Sequence, residues 1–170
     1  MPRIYVACLA SYNAGTLHGR WIDATLGVDH IDEETLDMIA HSPTPLAEEW
    51  AIHDYEGFGA VKLSESTSFD DVAELAHAIE ELGEAFGVFY NNQPDDVAAV
   101  VERFEEAYQG TFRTVEEYAE DHLDSTGVME SVPEMMRPYI DVESFARDLE
   151  LGGDIWTAEG GEGVLIFLNI

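Results

Sequence analysis

The chain has 170 residues and carries 36 Asp and Glu against 7 Lys and Arg, a formal net charge of −29 at pH 7. Such a surface repels nucleic acid and anionic membranes and attracts basic proteins or cations. Yet 46% of the residues are apolar and 11% aromatic, which excludes a disordered acidic protein and leaves material for a core, in one domain or in a few small subdomains.

In chain order, Ile4–Leu9 alternates as a strand, Asn13-Ala14-Gly15 is a turn signal, and Gly19–Leu26 reads as a second strand. Asp32 is the expected cap of a short helix with Leu36 and Ile39 inward, ended by Pro43 and Pro45. Glu49–Tyr55 is a third strand, so residues 1–61 form a small antiparallel α+β subdomain. Lys62–Ser68 is a polar connection, and Ser68 is placed to cap a helix over Phe69–Leu82. A short turn or helix around Phe86 follows, between Gly83 and Gly87. Pro94 then fits the first turn of a helix reaching Tyr108, which completes a helical subdomain over residues 62–109.

From Gly110 onward, Thr111–Arg113 suits a short strand, and Thr114 with Glu117 has capping-box spacing for a helix ending near Gly127. Asp141 opens a last helix with Val142, Phe145, Ala146 and Leu149 inward. Asp154–Thr157 and Val164–Asn169 close residues 110–170 as a hairpin joined by a Gly-rich turn. Val164–Leu168 is apolar on both faces, which requires cover on both sides by helix, sheet or a second subunit. It is also the longest apolar run, far too short to span a bilayer. The expected architecture is α+β: a sheet with a helix at each end and a helical middle. The single cysteine, Cys8, lies in an apolar alternation and reads as a buried, inert thiol in a reducing, cytoplasmic setting.

The middle third concentrates the charge. Phe69–Glu130 holds seventeen Asp and Glu against Arg103 and Arg113, on helices whose apolar residues fall on the opposite face. Asp70, Glu74 and Glu81 share one stripe, with His77 between them. Asp95, Glu102 and Glu106 form a second, and Glu116, Glu120 and Asp124 a third. Like charges four residues apart cost a helix about 0.2–0.5 kcal/mol per pair, and acids at a helix C-terminus oppose its dipole. The penalties accumulate in one direction, so a role other than stability is expected for these carboxylates.

Catalytic patterns are missing. Glu48, Glu49, Asp54 and Glu56 among Trp50, Tyr55 and Phe58 could suggest a glycosidase cleft, but strand carboxylates beside core aromatics explain them more simply. The six histidines show no zinc spacing, and there is no calcium loop, phosphate loop or nucleophile elbow. No catalysis, cofactor or metal is expected. Charge on a folded scaffold remains, and it has three readings: an ordinary solvated face, salt adaptation, or imitation of a nucleic acid. B-DNA carries one charge per about 1.7 Å, so 29 charges equal about 49 Å of duplex, and a dimer's about 99 Å.

Ile4–Thr25 (IYVACLASYNAGTLHGRWIDAT) and Glu48–Phe58 (EEWAIHDYEGF) resemble blocks of the ArdA antirestriction proteins. Phe86–Asn92, Gly110–Asp124 and Tyr139–Asp154 continue the resemblance in order. It implies a DNA mimic, encoded on a mobile genetic element, that blocks type I restriction–modification enzymes by occupying the DNA groove of their methyltransferase core. It also implies an elongated homodimer of three small subdomains per chain, joined through the C-terminal region, for which Val164, Ile166 and Leu168 are the expected interface. The family offers no active-site motif, so the nine stripe carboxylates rest on helical spacing. The alternatives are a salt-adapted binding protein and an acidic chaperone for basic proteins.

Overall fold

The structure, a computed structural model, describes residues Met1–Ile170, which pack into two compact units, Met1–Val101 and Glu102–Ile170. The architecture is α+β, with one three-stranded antiparallel sheet in each unit.

In the first unit β1 (Arg3–Cys8) is the centre of the sheet, between β2 (Gly19–Asp23) and β3 (Trp50–Glu56). Its alternation puts Ile4 and Val6 into the core, where they meet Ile22 and Ile52. A short helix, α1 (Leu9–Asn13), follows β1 where only a turn is expected. The second strand is shorter than its sequence suggests. Asp23 accepts hydrogen bonds from the Thr25 N–H (2.9 Å) and hydroxyl (2.7 Å), turning Ala24–Leu26 into a 3-10 turn. The next helix, α2 (Val28–Ala40), starts at Gly27 rather than Asp32, which lies exposed inside it. Its inward face is therefore Ile31, Thr35 and Met38, and Leu36 is 69% exposed.

The composition break near residue 62 does not separate compact units. The Ile52 N–H donates to the Glu65 carbonyl across it (3.0 Å), and Trp50 stacks on Phe69 with ring centroids 4.0 Å apart. The helix α3 (Phe69–Leu82) has its expected bounds, and the Ser68 hydroxyl accepts from the Asp71 N–H (3.1 Å). Val72, Leu75 and Ala76 are buried beneath it, against α2. Gly87 lies within a full helix, α4 (Glu84–Asn92), which buries Phe86 and Phe89. Pro94 precedes the next helix, α5 (Val97–Ala107), instead of entering it. Asp96 caps that helix by accepting from the Ala99 N–H (3.1 Å).

The unit boundary falls inside α5, before the break expected at Gly110, which itself lies within β4 (Tyr108–Phe112). The C-terminal unit continues with α6 (Val115–Ser125), α7 (Val128–Ser131), a 3-10 segment at Glu134–Tyr139 and α8 (Val142–Gly152). Strands β5 (Ile155–Glu159) and β6 (Val164–Leu168) complete it, in the order β4-β6-β5. The apolar run Val164–Leu168 is thus the central strand, and both its faces are covered within one chain. Ile166 packs with Tyr118 and Ile155, joined by Val115, Leu149, Val164 and Leu168. Phe167 lies between Trp156 (stacked, 4.1 Å) and Tyr108 (5.4 Å), with Phe104 of α5 stacked on Tyr108 (5.0 Å). Ile166 is 0% exposed, so its apolar character needs no second chain to explain it. The connecting turn passes so near β4 that a Cβ at Gly163, whose φ is +152°, would collide with the Phe112 carbonyl.

Candidate partner-binding surface

Helix amphipathicity determines where the carboxylates go. Burying Val72, Leu75 and Ala76 turns Asp70, Glu74, His77 and Glu81 of α3 outward, and all four are exposed. On α5, burial of Phe104 and Ala107 leaves Glu102 and Glu106 outside. Asp95 does not share their stripe. It lies exposed ahead of the helix, where it accepts from the Asp96 N–H (2.9 Å). On α6, Tyr118, Ala119 and Leu123 are buried, and Glu116, Glu120 and Asp124 face solvent.

The third stripe is not electrostatically uniform. Thr114 accepts from the Glu117 N–H (3.2 Å), as capping-box spacing predicts, but the Glu117 carboxylate returns to the Arg113 N–H (2.7 Å) and not to Thr114. Glu116 sits in the same first turn. Its own N–H, and then the Thr114 hydroxyl, hold its carboxyl below the usual range. Its charge is welcome there, contrary to the repulsion expected from spacing alone. Glu117 is held low by the Arg113 guanidinium. Asp124 lies in the last turn of α6, where the dipole disfavours it.

Few of the acids meet a cation. Arg3 holds Glu56 (2.6 Å), Arg20 bridges Glu34 (2.6 Å) and Asp37 (2.8 Å), and Arg113 holds Glu117 (2.8 Å). None of Asp70, Glu74, Glu81, Glu102, Glu106, Glu116, Glu120 and Asp124 is drawn into these pairs. Sequence selection by stripes also passed over exposed acids elsewhere: Asp32 and Glu33 on α2, and Glu143, Asp148 and Glu150 on α8. Their signal was the charge of the outer thirds, which hold nineteen of the 36 Asp and Glu.

Two of the four carboxylates weighed for a glycosidase cleft have structural occupations. Glu56 pairs with Arg3, and Asp54 accepts from the Tyr55 N–H (2.8 Å). No group of three or more His, Cys, Asp or Glu side chains is arranged to hold a metal. No helix is long and apolar enough to cross a membrane. Cys8 is fully buried, its sulfur 3.4 Å from the Ser42 hydroxyl.

The surface is therefore a solvated array of carboxylates on well-packed helices. No curated protein matches the chain. The family model of the antirestriction protein ArdA matches residues 4–162, nearly its whole length, and the chain belongs to the ArdA family of antirestriction proteins.

Proposed function

We propose that the chain acts as a DNA mimic, filling the DNA-binding groove of a type I restriction–modification enzyme and blocking restriction, and modification with it, without catalysis. Family membership supplies the antirestriction role and a restriction enzyme as partner. The observation that carries mimicry is the array of exposed carboxylates outside every ion pair given above, held on helices at regular spacing. A basic groove built to neutralise phosphates meets the same sign and density of charge there, and association is steered by it. The methyltransferase core is the proposed site of contact, because it is the part that grips DNA.

The functional unit we propose is a cytoplasmic homodimer joined through the C-terminal unit, carried by a mobile element, with three small subdomains per chain. Val164 and Leu168 keep some exposed surface for such a contact, whereas Ile166 has none. A second reading, salt adaptation of a binding protein or of a chaperone for basic proteins, draws on the single lysine and on acids spread over α2 and α8. Titration of a purified type I enzyme separates the two. A mimic saturates at a fixed stoichiometry and loses to excess duplex. Loss of cleavage at clearly sub-stoichiometric amounts would overturn the mimic reading.

A further inference from the structure

Within the C-terminal unit, Glu120, Leu123, Asp124, Met129 and Val142 line a cavity of ≈ 200 Å³ where α6, α7 and α8 meet. Leu123 is 7% exposed, Met129 and Val142 are half-buried, and the two carboxylates lie exposed at the rim. We propose that this cavity is a socket for one arginine side chain of the partner protein, its stem against Leu123, Met129 and Val142 and its guanidinium between Glu120 and Asp124.

Size is the first reason. The cavity is smaller than the roughly 300–1,000 Å³ that drug-sized ligands and cofactors occupy, and it suits a single side chain. Chemistry is the second. A bare cation gains nothing from three apolar walls, whereas a basic side chain buries its methylenes on them and keeps its charge at the rim. Geometry selects arginine over lysine. Glu120 and Asp124 are one turn apart, with Cβ atoms about 5–6 Å from each other. A planar guanidinium with five donors can address both carboxylates, while an ammonium acts as a point charge.

The arginines of this unit have partners of their own: Arg113 is held by Glu117 and feels Glu120 only through its charge, Arg147 donates to the Ser144 hydroxyl (3.3 Å), and Arg137 donates to the Val132 carbonyl (3.1 Å). The occupant therefore comes from outside. Which protein supplies it rests on the mimic reading. The socket adds to that reading one position where a shaped site, and not only distributed charge, makes the contact.

The test uses the full chain with 13C-methyl methionine, whose Met129 methyl lies in the socket wall. The probes are Gly-Arg-Gly amide, Gly-Lys-Gly amide and Gly-citrulline-Gly amide, the last a neutral analogue of arginine. The arginine peptide should shift the Met129 methyl saturably, lysine less, and citrulline hardly at all. Met135 and Met136, exposed in the same unit, should move little. The double substitution Glu120→Gln/Asp124→Asn should weaken the Met129 response by about tenfold or more. Val142→Phe, which fills the cavity and keeps the charge, should weaken it likewise.

An unchanged near-UV dichroism of the aromatic residues packed around Phe167 and Tyr118, with an unshifted Met38 methyl, shows that both variants keep the fold. A Met129 shift no larger than those of Met135 and Met136, or one that citrulline reproduces, or one that survives both variants, overturns the socket. Inhibition of a type I enzyme, measured on the same samples, keeps the two proposals apart. Inhibition with a flat Met129 response rejects only the socket, and a Met129 response without inhibition rejects only the mimic.

Discussion

Neutralising Glu120 and Asp124 should make the protein more stable and, at the same time, a weaker inhibitor. The two side chains are exposed on α6, one turn apart, and Asp124 is the penultimate residue of the helix. Replacing them with Gln and Asn keeps their size. It relieves two like-charge pairs, Glu116–Glu120 and Glu120–Asp124, each worth about 0.2–0.5 kcal/mol, and one clash with the helix dipole, worth about 0.3–1 kcal/mol. The sum is about 0.7–2 kcal/mol at low salt, toward the lower end because both groups are solvated. Glu116 is left untouched, since its carboxylate is stabilised by the first turn and its removal would act in the opposite direction. With an m-value of about 2 kcal/mol/M, the urea midpoint should rise by about 0.35–1 M, and most of the gain should vanish in about 1 M salt, where the Debye length is about 3 Å. Far-UV circular dichroism across a urea series at both salt concentrations measures this. Inhibition of a type I enzyme by the same variant should fall. An unchanged or lower midpoint, or a gain that persists in high salt, would refute the electrostatic reasoning. A stabler protein that inhibits as well as the parent would show that this face points away from the partner.

Ile166→Asp should unfold the C-terminal unit rather than release a folded monomer, because the side chain has no exposure and sits in the central strand; sedimentation combined with near-UV dichroism distinguishes the outcomes. A folded protein carrying this change would contradict the assigned core. Thr25→Val should raise the carboxyl titration of Asp23, which the Thr25 hydroxyl, opposed by partial burial and helped by the Thr25 N–H, holds below the usual range. A depressed carboxyl contributes stability above its unfolded value that is lost as pH falls through the folded one. The variant should therefore be the less stable of the two at neutral pH, and the difference should shrink below about pH 4 as the parent loses this contribution, as a 13C carboxyl titration and acid melts would read. A melting series from about 0.05 to 3 M salt should find a folded protein near 0.15 M if the charge serves mimicry, and one that needs molar salt if it serves salt adaptation.

Much of this fold was legible because local signals and tertiary packing agree. Ser68, Thr114 and Asp141 each cap the helix that their spacing indicates, and the alternation of Ile4 and Val6 marks β1 as a strand with one face in the core. The misreadings have local causes. Asp32 looks like a cap, but Gly27, at φ +90°, lets the chain enter α2 four residues before Ile31. The face that packs runs through Ile31, Thr35 and Met38, which leaves Leu36 exposed. Pro94 attracts a helix start that Asp96 provides. The two faces of Val164–Leu168 demanded cover, but sequence could not say that α5 on one side and α6 with α8 on the other provide it within a single chain. The acidic stripes were legible as exposed faces, apart from Asp95. Their inequality was not, because it depends on which carboxylate each N–H, hydroxyl and guanidinium reaches.

Mimicry is tested most directly by competition for one groove. Labelled duplex DNA bound to a purified type I methyltransferase should be displaced by this chain in proportion to the complex formed, with no ternary species on a native gel or in sedimentation. The displacing affinity should fall with added salt, as that of a charged duplex does. A stable complex holding both the duplex and this chain, or inhibition with no displacement at all, would contradict the reading of its carboxylates as stand-ins for phosphates.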